Sequence, residues 1–404
     1  MSDKHERNFF LFKVLDRFFF ALSFPTYVLF LKDGGMKPSE IGIINTMFLL
    51  AVVLFEIPTG IVGDRFGRKR SIIIGLFVCS FGHLWYFSSH SLWMYSTAEM
   101  IIALGVSFIS GSLQAWLHDS IAHHNGKNKF GVVWSNGEKF AHLASVVGGF
   151  IGALLASIYL PLPWLVACLG ILGLAILCFW LVDESYFVHE KLGWKENWQK
   201  TIQIFKAGFS LSWNKKELRY FYIITCLTLF ALQPMNQQWS LYFEKEFGIG
   251  SILLIWLGVS FSLFLGSHTV SCLLKKDNSS EVTLLFIVQL LTSVLVLLMA
   301  QQISPLLVVF FFCFHEIPRG SWSSLSESYL QKQIPSAIRA TMGSITSVVT
   351  RLGAGAGWFL SGLLLERVPI LNCWFFSGIC LLLTLPFFFL LRKSTRVSNG
   401  YVQV

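Results

Sequence analysis

Charge is scarce in this sequence: Asp, Glu, Lys and Arg together supply only 13% of its 404 residues. A water-soluble domain cannot cover its surface with so few charges, so the composition excludes a soluble globular protein. No G-x-x-x-x-G-K-[ST] run occurs, which excludes ATP hydrolysis at a P-loop of this chain. There is no Ser/His/Asp array and no set of His, Cys, Asp and Glu at metal-ligand spacing. The chain therefore reads as neither an enzyme nor a metal protein, and no cofactor is implied. The cysteines (Cys79, Cys168, Cys178, Cys226, Cys272, Cys313, Cys373 and Cys380) are scattered through apolar runs without a C-x-x-C pair. They read as small packing residues, with no disulfide framework.

What is abundant is apolar surface. Hydrophobic residues make up 54% of the chain, and Phe alone contributes 39. The pattern predicts twelve spans, near 9–31, 40–62, 71–90, 94–118, 134–158, 164–182, 218–243, 252–273, 281–301, 305–329, 337–364 and 369–391. Each is long enough for the ~30 Å hydrocarbon core of a bilayer. Placing the N-terminus inside puts Lys4, Arg7, Arg65, Arg68, Lys69, Arg70, Lys127, Lys129, Lys191, Lys275 and Lys276, with most other basic residues, on the cytoplasmic side. The outer loops then hold only Lys32, Lys37, Lys245 and Arg367. This bias orients the chain with both termini cytoplasmic. The net charge of +9 faces anionic lipid and needs no nucleic-acid partner. The first span is too long for a signal-peptide core and carries Asp16 and Arg17, so no cleavage is expected. Asn278-Ser279-Ser280 is formally a glycosylation sequon, but this topology puts it inside the cell.

Three segments follow: a six-helix bundle over 1–182, a linker over 183–217 and a second six-helix bundle over 218–404. In the linker Trp194, Trp198, Ile202, Phe205, Phe209 and Trp213 recur three or four apart, with Lys195, Lys200 and Lys206 elsewhere. That is the pattern of an amphipathic helix lying at the membrane interface. The bundles are weak repeats of each other. Gly111-Ser112, Asp119-Ser120, Lys129 and Gly152 recur at a near-constant offset as Gly320-Ser321, Glu327-Ser328, Arg339 and Gly362. Gly148, Gly149 and Gly152 in the fifth span and Gly353, Gly355 and Gly357 in the eleventh permit close backbone approach. They are expected to pack where the halves meet.

The most concentrated signal lies between the second and third spans. Gly60-Ile61-Val62-Gly63-Asp64-Arg65-Phe66-Gly67-Arg68-Lys69-Arg70 packs an acid and a basic cluster between two apolar runs and reads as a tight loop at the membrane surface. A plain basic anchor explains the cations, but not Asp64 among them. The pattern G-x-x-x-D-R-x-G-R-K, carried here by Gly60, Asp64, Arg65, Gly67, Arg68 and Lys69, resembles the loop after the second helix of the major facilitator superfamily. The preceding Phe55-Glu56-Ile57-Pro58-Thr59 is similar to its bacterial branch. In the second half the counterpart shrinks to Lys275-Lys276-Asp277. The resemblance implies an all-α fold of twelve transmembrane helices in two pseudo-symmetric bundles, in the cytoplasmic (inner) membrane. It also implies that Arg65 or Arg68 pairs with Asp119, and that Asp64 faces the N-terminus of the eleventh span.

Ionisable residues inside spans are costly and so are functional candidates. Asp16 and Arg17 lie in span 1, Glu56 in span 2, Glu138 and His142 in span 5, and Glu316, Arg319 and Arg351 in spans 10 and 11. Some of them could simply pair to hold helices together. The resemblance implies that spans 1, 4, 7 and 10 line a central cavity. The candidates for its walls are Asp16, Arg17, Gln114, Trp116, Gln233, Asn236, Gln237, Trp239, Glu316, Arg319 and Arg351. Asp16, Glu56, Glu138, His142 and Glu316 are candidates for proton coupling. Gln233-Pro234-Met235-Asn236-Gln237-Gln238-Trp239 reads as a broken helix offering amides to a substrate.

The expected activity is alternating-access transport, with proton-coupled efflux of a drug-like or amphiphilic metabolite, such as a siderophore, as the favoured form. The expected partners are a small molecule, protons and the lipid bilayer, with the chain acting as a monomer. The resembled drug–proton antiporters carry G-P-x-x-G-G in the fifth span. Here Val146-Val147-Gly148-Gly149 lacks the proline, which puts export in doubt, and the basic pair Arg319 and Arg351 near mid-membrane favours import of an anionic nutrient or carboxylate siderophore as the alternative. A scaffold or receptor would leave the buried charges without a purpose.

Overall fold

The computed structural model describes residues 4–123, 130–184, 194–274, 281–301, 304–334 and 339–400. Lys127, Lys129, Lys191, the Lys275-Lys276-Asp277 run and the Asn278 sequon lie outside them, as do the side chains of Trp194, Lys195, Lys200, Phe205 and Arg339. Among the described residues every element is a helix, and ten helices are long and apolar enough to cross a membrane. In lipid a helix is the natural choice, because it satisfies its backbone hydrogen bonds within itself.

The elements of the first half are α1 (Lys4–Ala21), α2 (Tyr27–Asp33), α3 (Pro38–Phe66), α4 (Arg68–Phe87), α5 (Leu92–His123), α6 (Phe130–Ile158) and α7 (Leu162–Leu181). The linker helix forms as α8 (Trp194–Asn214), with Trp198, Phe209 and Trp213 exposed. There follow α9 (Lys216–Phe247), α10 (Gly250–Leu274), α11 (Glu281–Met299), α12 (Pro305–Gln333), α13 (Arg339–Leu365), α14 (Ile370–Leu382) and α15 (Leu385–Gly400). Two predicted spans are not among the ten. The first is split into α1 and α2, and α12 carries Glu316, Arg319, Glu327 and Lys332.

The chain forms two compact units. One comprises Met1–Thr201 with Phe243–Trp256, the other Ile202–Tyr242 with Leu257–Val404. In the first, Phe9, Phe12, Ile72, Leu76, Trp116 and Leu117 form a buried core. In the second, Leu218, Phe221, Leu285, Tyr329, Met342 and Leu391 do the same.

Three expectations change. The 60–70 stretch is not a loop: α3 runs to Phe66, α4 starts at Arg68, and only Gly67, at φ 108°, leaves the helical conformation. A single left-handed residue reverses the chain, so Gly60 stays helical. Nor is the seventh span broken, since α9 continues through Pro234. Proline removes the N–H that would bond the Phe230 carbonyl. Gly357 of α13 covers that oxygen, so closely that a Cβ at 357 would overlap it. The break lies in the first span instead, where residues 22–26 separate α1 from α2.

The third change concerns the glycine stripes. Gly148 lies against the Phe18 carbonyl of α1 and Gly152 against the Leu22 carbonyl just after it, while Gly353 and Gly357 lie against those of Cys226 and Phe230 in α9. Gly148, Gly152, Gly353 and Gly357 therefore seat helices of their own unit, whereas Gly149 brings the fifth predicted span against α10 of the second predicted half, as expected. Gly149 lies under Trp256, whose indole donates to the Val146 carbonyl at 3.2 Å. A Cβ at 152 would overlap the Leu22 oxygen at the break. Gly152→Ala is therefore expected to destabilise the protein by ~1–3 kcal/mol or more, seen as a lowered unfolding temperature in detergent. Gly173→Ala, with nothing within 4 Å of its Cβ position, is the control that should leave that temperature unchanged or raise it.

Candidate functional site

The turn at Gly67 is held by side chains from three directions. Arg68 donates to the Asp64 carboxylate one helical turn back. The Arg68 and Lys69 backbone N–H groups both donate to Glu184, the latter at 3.1 Å. Glu184 follows α7 and supplies an acceptor and a negative charge to the N-terminus of α4, where unpaired N–H groups and the helix dipole favour an anion. Lys69 Nζ donates to the Phe179 carbonyl at 2.7 Å, anchoring the same corner to α7. Gly67 is required by its φ of 108°, and a Cβ there would also push the Glu184 carboxylate, 2.7 Å away, off the α4 N-terminus. Gly63 lets α3 approach α5: a Cβ there would lie 2.6 Å from Ser112 Oγ. Of the two pairings expected for Asp119, with Arg65 or with Arg68, the Arg68 one is not seen among the described residues. Asp64 takes that guanidinium, and Asp119 lies 3.6 Å from His118 on its own helix.

A second cluster joins α1 to α6. Lys13 of α1 is buried and donates to Glu138 at 2.6 Å. Its ammonium also lies 4.9 Å from the centre of the Trp134 ring. Asp16 sits among the charges of Lys13, Arg17 and Glu138, and those of Glu138, Arg17 and Lys13 also act on His142. Four candidates thus come together around one lysine that sequence reasoning missed. Removing Lys13 leaves Glu138, 31% exposed, without its cation, so Lys13→Ala is expected to destabilise the protein by ~1–3 kcal/mol. Lys13→Ala combined with Glu138→Ala should recover part of that loss in thermal unfolding. Gln114 is exposed on α5. Trp116 is buried in the core, its indole donating to the Asp183 carbonyl at 2.7 Å. Glu56 is half-buried on α3, outside the α1–α6 cluster.

The second unit holds the deepest charge cluster, midway along α12. Glu316 is 2% exposed and accepts from Arg319 at 2.8 Å. His315, also fully buried and missed in the sequence, brings Nε2 to 3.6 Å from the same carboxylate oxygen. The other oxygen, Oε2, has no hydrogen-bond partner among the described residues. Burying a charge this deeply is expensive without full pairing. A ring ladder ties the cluster to α9: His315 packs on Phe312, and Phe312 on Trp239 and Trp374. On α9, Asn236 donates to Gln233 at 3.0 Å, and Gln238 donates to Ser361 of α13 at 3.0 Å. Gln237 is buried on α9, and Arg351 of α13 donates to Ser347 at 2.9 Å. No group of His, Cys, Asp and Glu able to hold a metal is found among the described residues.

The family model of the Major Facilitator Superfamily matches residues 9–357. The chain belongs to this superfamily. It is 28% identical over 364 residues, 85% of each chain, to "Uncharacterized transporter BU466" of Buchnera aphidicola subsp. Acyrthosiphon pisum. It is 22% identical to "Quinolone resistance protein NorA" of Staphylococcus aureus over 222 residues, 55% of this chain and 54% of that one. Among solved structures, nucleoside transporter NupG superposes with a TM-score of 0.76 at 13% identity, covering 98% of this chain and 99% of that one. The protein is a multi-pass membrane transporter with the major facilitator fold.

Proposed function

We propose that this superfamily member is a secondary transporter that exports a drug-like or amphiphilic metabolite in exchange for protons. The observation that carries the reading is Glu316. One oxygen of this buried carboxylate is held by Arg319 and the other has no hydrogen-bond partner among the described residues. Such a group is half-compensated as an anion, and it gains from taking up a proton as the surrounding helices move. The apolar and aromatic surroundings on α9 and α12, with amides at Gln233, Asn236 and Gln238, suit a lipophilic cargo that makes a few hydrogen bonds. The name of one relative, a quinolone resistance protein, supports a drug-like compound as cargo.

An anion importer needs a cation free for its cargo. Arg319 is already engaged by Glu316, which weighs against that reading. The expected result in cells is that expression of the chain lowers the accumulation of at least one lipophilic dye from a broad panel. A protonophore should abolish the effect. Raised accumulation, or efflux indifferent to the protonophore, would contradict the proposal.

A further inference from the structure

The first unit contains a buried acid that neither charge cluster uses. Glu99 is 7% exposed, about two turns into α5. Tyr27 Oη donates to Glu99 Oε1 at 2.9 Å, and Tyr86 Oη donates to Tyr27 Oη at 3.3 Å. Rings close the site. Tyr86 stacks on Trp164 with centroids 4.0 Å apart and planes at 6°, and Phe30 packs on Tyr86, Tyr95 and Trp164.

Among the described residues no Lys, Arg or His pairs with Glu99. The titratable groups that bear on it are Tyr27 from α2 and Tyr86 from α4. From α3 the Asn45 side chain reaches Tyr27. His83 of α4 faces Trp164, and its Nδ1 is engaged with the Cys79 carbonyl at 2.8 Å. Asp33, at the end of α2, acts on Tyr95.

A carboxylate in an aromatic shell without a cation is held at high cost, whereas a carboxylic acid there is neutral and keeps its hydrogen bonds. The placement adds a consequence. Tyr27 is the first residue of α2, immediately after the break at 22–26, so the hydroxyl on Glu99 belongs to the segment where the first span loses its helix. Loss of the proton to water leaves a carboxylate that demands further donors. The donor it already holds, Tyr27, directly follows that break, so a tighter hold on Tyr27 pulls on the break itself.

We propose that Glu99 is a proton-binding carboxyl, closed by Tyr27 and Tyr86, whose occupancy controls the conformation of the break between α1 and α2. How transport uses this proton rests on the proton-coupled reading above; proton binding itself does not, and the test separates the two. The full chain is reconstituted in lipid, and infrared difference spectra are recorded from neutral to alkaline pH. The wild type is expected to show a protonated-carboxyl C=O band at neutral pH that Glu99→Gln lacks and Tyr27→Phe shifts. An equal band in Glu99→Gln overturns the inference, as does a band removed only by Glu316→Gln. If Glu99→Gln does not fold, Tyr27→Phe decides: a shifted band supports the site and an unchanged band overturns it.

The link to the break is read by labelling Ser23→Cys, followed peptide by peptide in a mass spectrometer. The ratio of its labelling rate to that in a Glu99→Gln background should change about fivefold between neutral and alkaline pH, the lower end of typical coupling between sites. A constant ratio overturns the link. Protein that binds the proton at Glu99 yet moves no substrate against a gradient would reject proton-coupled export and leave the site standing.

Discussion

Glu316→Gln is expected to abolish concentrative export while leaving energy-independent exchange of substrate intact. Glutamine keeps the shape and one acceptor oxygen, so the Arg319 hydrogen bond at 2.8 Å can persist in neutral form. What it cannot do is gain and lose a proton. If that proton links the two states of the transporter, the lost coupling is of the order of 1–3 kcal/mol, and the concentrative ratio should fall roughly 5–150-fold. Arg319→Lys should retain part of the activity, because a point charge replaces the fork. Arg319→Ala should fail, leaving Glu316 buried beside His315 without its cation. The check is counterflow and gradient-driven uptake measured on the same inside-out vesicles. Loss of both activities in Glu316→Gln would point to a structural role.

The second large effect is expected at the turn after α3. Gly67→Ala must hold a Cβ at φ 108°, a strained backbone for any residue but glycine, and must displace the Glu184 carboxylate 2.7 Å away. Turnover should fall sharply while membrane insertion survives, since the cores of both units lie elsewhere. Glu184→Ala removes the acceptor from the Arg68 and Lys69 N–H groups and should produce a milder form of the same defect. Its helix-terminus contribution is ~0.3–2 kcal/mol. Asp64→Asn, which weakens the Arg68 pair, should be less than additive with Glu184→Ala if both secure one corner. Transport rate, read with labelling of a cysteine placed beside the turn, separates a moved corner from lost protein. Normal turnover in Gly67→Ala would reduce the stretch to a basic anchor.

The sequence carried the family, the helical class and most span positions, because hydropathy and the Gly60–Lys69 pattern are local signals. Tertiary partners were less legible. Pro234 read as a break, but Gly357, far along the chain, covers the carbonyl that the proline leaves free. The real break falls at 22–26, in a run with only one proline and no polar cluster to mark it. The glycine stripes were visible, yet the helices they face were not. Lys13 looked like a cytoplasmic anchor because its burial depends on Glu138 from another helix. Glu99 lay near a predicted span end, where an acid normally meets headgroups. Only Tyr27 and Tyr86 folding over it distinguish the two cases. His315 next to Glu316 was the one missed residue with a local signal: a second titratable group inside a span.

Proton exchange for cargo is the central claim, and proton flux measures it most directly. The purified protein is reconstituted into liposomes with a pH-sensitive dye sealed inside and no imposed gradient, and a cargo taken from the cell screen is added outside. The account predicts that cargo entry drives protons out of the vesicle, raising the internal pH at a rate that saturates with cargo, with no such change for Glu316→Gln. Cargo movement with no accompanying proton flux in the wild type, or protons moving in the same direction as the cargo, would contradict it.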